Sequence, residues 1–140
     1  MQNCWKKLRN ISQNLLKIIN HDSSSFGFAD VDGVLKKINK IQDNYNAISL
    51  VQDRSDGIWS MEATFQNKGK YGGAELDFGK GTLTFFINDV QQPIYFSGIR
   101  EKVRFLVSMY HNGTSCTIKS LRKLSQPTVG QVTNMQAIQW

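Results

Sequence analysis

Residues 71–88, YGGAELDFGKGTLTFFIN, constrain the fold more than any other stretch of the chain. Ala74, Leu76 and Phe78 alternate with Glu75 and Asp77, the period of two expected of a strand with one dry face and one wet face. Gly79-Lys80-Gly81 follows, where glycine on both sides of a lysine lets the backbone take positive φ at little steric cost. The next run, 82–88, is rich in β-branched and aromatic residues, with Leu83, Phe85 and Ile87 on one face and Thr82, Thr84 and Phe86 on the other. Two such runs joined by about three residues containing Gly read as an antiparallel hairpin.

The same grammar extends along the chain. Residues 5–19 carry apolar residues that fit both a helix and two strands, but the β character of later segments favours a strand at 5–11. Polar residues 21–25 make a loop before a short aromatic strand at 26–29. Residues 30–46 read as a long excursion from the sheet, with a helical turn over 34–38. Strands are expected at 47–52 and 57–64 around the polar turn 53–56, with a loop at 66–70. A second reversal spans 88–93, with Pro93 at the start of a short strand, 94–96, and a loop over 97–102. Residues 104–110, apolar on both faces, suggest a central strand covered on each side. His111-Asn112-Gly113 carries a strong hairpin signal ahead of a final strand at 114–121. One β-sandwich domain over 1–123 and a loosely held polar tail over 124–140 are therefore expected.

Composition narrows the class further. The 140 residues suit a single core, and 40% hydrophobic residues are enough to fill it. No apolar run approaches the roughly 20 residues that cross a bilayer, and the start of the chain lacks the pattern of a secretory signal. An intracellular, cytoplasmic monomer is the default expectation. Cys4 and Cys116 are too isolated for a zinc site and are expected to be reduced and structural, so no metal or cofactor is implied. The net charge of +6 raises the question of nucleic acid, but the lysines and arginines fall in small separate clusters, which argues for solvated faces instead of a phosphate-binding groove.

GFAD at 27–30, GGAELDFGKGTLTFFIN at 72–88, YFSGI at 95–99 and FLVSMYHNGTS at 105–115 together resemble the SPRY domain family, in the family's order and at separations compatible with it. The middle block is the most specific: an acidic strand, a tight Gly-containing turn, then a GTLxFFxN strand. The resemblance implies a bent antiparallel β-sandwich, similar to the concanavalin A-like jelly roll, that binds other proteins without catalysis. Asp89 stands where this family usually has Gly after the Asn, implying a turn that is longer or differently shaped.

Carboxylates on a concanavalin-like sandwich also raise a carbohydrate-binding or glycoside-hydrolase alternative, because some such hydrolases carry Glu-x-Asp-x-x-Glu on one strand. Here Glu75 and Asp77 are followed by Lys80 where the second glutamate is required, and Glu62 is not placed beside them by any local pattern. A solvated strand face is the expected role of Glu75 and Asp77. His21-Asp22 among serines, and His111 with Cys116, show no more than the ingredients of nucleophilic chemistry. Trp59, Tyr71, Tyr95 and Tyr110 fall at strand ends or opposite the apolar set and are candidate anchors for a partner, although the second face of a sandwich strand is an equal alternative. Arg100, Lys102 and Lys40 would bias such a surface towards an acidic peptide or loop of another protein.

Overall fold

The structure is a computed structural model that describes residues 18–20, 22–31, 35–50, 55–66 and 70–140. The strands are β1 (Ile18–Asn20), β2 (Phe26–Val31), β3 (Leu35–Lys40), β4 (Asn46–Leu50), β5 (Ile58–Phe65), β6 (Lys70–Asp77), β7 (Thr82–Ile87), β8 (Val90–Ser97), β9 (Leu106–Met109), β10 (Ser115–Leu124) and β11 (Gln136–Gln139). They form a three-stranded sheet in the order β1-β4-β9 and an eight-stranded sheet in the order β11-β8-β7-β6-β5-β10-β3-β2. All pairings are antiparallel except β11 with β8. The expected all-β sandwich is therefore observed. Ile48, Leu50, Val107 and Met109 of the small sheet share one core with Ile38, Trp59, Leu76, Ile118 and Leu121 of the large one. Among the described residues no helix is long and apolar enough to cross a membrane.

The hairpin of β6 and β7 forms with Asp77 opposite Thr82 and Ala74 opposite Phe85. Its turn depends on Gly81, which has φ +65° and where a Cβ would lie 2.8 Å from the Ile99 carbonyl oxygen. The reversal at 88–93 is shorter than expected. Asn88 and Asp89 both take positive φ, 49° and 63°, and Ile87 pairs directly with Val90, which is a two-residue turn of the primed kind. Aspartate tolerates the left-handed region well enough to stand where glycine is expected. Pro93 consequently lies inside β8, where the register with β7 shifts between Thr84 and Phe86 and no ladder donor is demanded of it.

Three further expectations are corrected. The helical turn at 34–38 is the strand β3, with Ile38 fully buried, because the edge of β10 supplies hydrogen-bond partners that a local turn would leave unmet. The segment at 104–110 is not a central strand: β9 ends the small sheet among the described residues, and Leu106 is 59% exposed. The Asn-Gly turn does not close a hairpin; it carries the chain from β9 in one sheet to β10 in the other, with Gly113 at φ +79°. The strand expected at 5–11, His21 and Cys4 lie outside the described residues. Residues 124–140, expected as a tail, hold β11 against β8, and the Trp140 amide donates to the Ser97 carbonyl at 2.9 Å.

Candidate binding cleft

The loop 41–45 is set by polar side chains at its base. Lys40, expected at the surface, is 1% exposed; its Nζ donates to Asn44 Oδ1 and lies 4.7 Å from the centre of the Phe26 ring. Asn44 Nδ2 donates to Ser25 Oγ at 3.1 Å, and Ser25 Oγ donates to Asp22 Oδ2 at 2.5 Å. Asn46 Nδ2 donates to the same carboxylate oxygen at 2.9 Å. The hydroxyls of Ser24 and Ser25 lead the causes that hold the Asp22 carboxyl down at about 2. Loop 41–45 is clasped to the β9–β10 turn as well: the amide of Asn44 donates to the Tyr110 carbonyl at 3.3 Å, and that of Asn112 to Asp43 Oδ1 at 2.8 Å.

This scaffold presents Tyr45, 84% exposed, beside Tyr110, 41% exposed. Their rings meet edge-on at 5.0 Å, and Tyr110 meets His111 in the same way at 4.9 Å. Together with Phe65, Gln66, Met109 and Thr114 they line a cleft of about 420 Å³ where the two sheets part. Phe65 and Ser108 also line a second, more apolar space of about 580 Å³ that runs between residues 104–108 and the faces of β5, β6 and β7. The two spaces adjoin at these residues and are together called the groove, with an aromatic mouth and a mainly apolar interior.

The expected site residues separate. Tyr110 is at the mouth. Arg100 and Lys102 are exposed on the segment leading into the opposite end of β9. Trp59 is buried, with its indole donating to the Asp56 carbonyl at 2.8 Å and Lys123 Nζ 5.8 Å from its ring, so it is scaffold and not a surface anchor. Tyr95 is half-buried on the other face of the large sheet, beside Thr84 and beneath Val129 and Met135. Tyr71 pairs with Thr64 in β6, and its side chain lies outside the described residues. Tyr45, His111 and Phe65 were not anticipated. An isolated aromatic in the polar run QDNYN was the available signal for Tyr45.

The carboxylates are committed to structure, which corrects the expected wet face. Glu75 is only 2% exposed, and its oxygens accept from the Thr128 amide at 3.0 Å, the Val129 amide at 3.4 Å and the Thr128 hydroxyl. The chain returning after β10 covers that face, which alternation within β6 cannot reveal. Asp77 is buried and accepts from the Lys80 amide at 3.1 Å across the hairpin turn. Glu62 lies 3.6 Å from Arg122. Among the described residues no three His, Cys, Asp or Glu side chains converge as metal ligands would.

No protein-family model and no curated protein matches the sequence. Among solved structures the chain is similar to the crystal structure of the TRIM65 PSpry domain, with a TM-score of 0.56 over 81% of this chain and 98% of that one, at 12% sequence identity. At this identity the likeness is one of fold, and it agrees with the resemblance drawn from the four sequence blocks. The chain has the SPRY-type β-sandwich.

Proposed function

We propose that the chain is a non-catalytic, adaptor-like interaction module that holds a peptide or loop of a partner protein in the groove, with loops 41–45 and 110–114 as its rim. The observation that carries this reading is the exposed pair Tyr45 and Tyr110, fixed at the mouth of an apolar groove by hydrogen bonds made behind them. Rigid aromatic rings bury large areas at small entropic cost, and their prior ordering reduces what association must overcome. The SPRY-type fold supports the same reading, and an intracellular setting suits a free, buried thiol such as that of Cys116. The test is capture from lysate by the immobilised chain and by a Tyr45→Ala/Tyr110→Ala variant, with retained proteins quantified by mass spectrometry. Proteins held by the wild type are expected to fall by about tenfold or more on the variant, whose thermal unfolding stays unchanged. Equal retention by both would remove the groove mouth from the function.

A further inference from the structure

We propose that the partner segment enters this groove as an added β-strand along the outer edge of β9, with alternate apolar side chains on the groove floor and acidic residues at the end near Arg100 and Lys102. This rests on the binding reading above and specifies its geometry.

The phase of the β4–β9 ladder identifies the free groups. The Leu50 amide donates to the Phe105 carbonyl at 3.0 Å, so Leu50 and Phe105 form a hydrogen-bonded pair. Antiparallel pairs alternate, so Val107 with Ile48 and Met109 with Asn46 are hydrogen-bonded too, whereas the main-chain groups of Leu106 and Ser108 are not bonded to β4, which Ser108 reaches only through its hydroxyl, donating to the Asn46 carbonyl at 3.5 Å. The amides and carbonyls of Leu106 and Ser108 therefore point away from β4, and no strand among the described residues pairs with them. Leu106-Val107-Ser108-Met109 has no proline, lysine or glycine of the kind that guards an open edge.

The groove's apolar space of about 580 Å³ lies beside this edge, which itself lines it through Leu106, Val107 and Ser108. Among the described residues the small sheet ends at β9, while the large one continues beneath it through β5, β6 and β7. The floor of the groove is made of small residues, Ala63, Gly72 and Ala74, flanked by Phe65 and Phe85. A strand about 4.8 Å from β9 would direct every second side chain onto that floor. Charge marks one end: Arg100 and Lys102 are exposed, and Glu101, the acid between them, is engaged by the Trp140 indole. Main-chain bonds would provide affinity, and the floor and the cations would select the sequence.

The experiment is selection on the full chain of a displayed library of random peptides of about twelve residues, followed by amide exchange of the free and bound protein. Selected peptides should show apolar residues at alternate positions with acidic residues at one end, and their binding should slow exchange at Leu106 and Ser108. Gly72→Val should weaken them by about tenfold or more without loss of fold, since a Cβ at this position meets only the Phe65 ring, at 3.7 Å. N-methylation of alternate peptide amides should abolish binding, and Arg100→Gln/Lys102→Gln should remove its salt dependence. Peptides that bind without changing the two amides, or that tolerate N-methylation, would overturn strand addition while leaving the interaction module intact. Failure to select any peptide would also overturn it, as would slow exchange at both amides in the free chain, which would mean that the edge is already covered. Loss of protein capture on Tyr45→Ala/Tyr110→Ala decides the broader reading separately.

Discussion

Lys40 satisfies its ammonium group against the Asn44 amide oxygen and the face of Phe26, and so helps to hold the loop that displays Tyr45. Asp22, at the other end of the same network, supplies a pH test. Its carboxyl is held below the ordinary 3.8, at about 2, so the folded state favours the ionised form. The resulting stabilisation is fully present above pH 3.8 and disappears as pH falls through about 2. Asp22→Asn should therefore lower the Tm at pH 6, and the gap from wild type should close by pH 2, as followed by thermal melts across that range. Cys116 gives a second test at this scale, because burial pushes its thiol up to about 12. In a Cys4→Ser background it should resist a thiol reagent at pH 8 until the chain unfolds, so that the labelling rate tracks denaturant.

At the scale of the element, the segments whose pattern and partner are both local were legible. The β6–β7 hairpin needs only alternation and a glycine turn, and it formed as expected. Where the partner lies far along the chain the pattern misled: VLKKI reads locally as a helical turn, yet β3 takes its place between β2 and β10. Glu75 shows the same effect on a single face, since alternation put it in water and residues 128–129 cover it. Its removal tests how that covering segment is held. Glu75→Ala should cost about 1–3 kcal/mol in urea unfolding, because three donors lose a charged acceptor, and amide exchange in β11 should quicken. Unchanged exchange there would mean that pairing with β8 alone secures the segment.

At the scale of the molecule the sheets are unequal, three strands against eight among the described residues, and one core joins them. Ile48, buried in the middle strand of the small sheet, should on replacement by alanine destabilise the whole fold by about 2–5 kcal/mol, with a single transition in both fluorescence and far-UV circular dichroism. Separate transitions would show that the small sheet opens by itself. The inequality is also what leaves the groove, because among the described residues no strand of the small sheet lies beyond β9 over β6 and β7. Fold class and the β6–β7 hairpin were determined by the sequence alone, since alternation, turn residues and β-branched content act between neighbours in the chain. Tyr110 was visible as a candidate, but its pairing with Tyr45 was not, nor was the burial of Lys40 and Trp59. These depend on which strand ends a sheet and which loop returns across it. Such choices are settled by hydrogen bonds and apolar contacts between residues distant in sequence, so only the tertiary structure decided where a partner can be met.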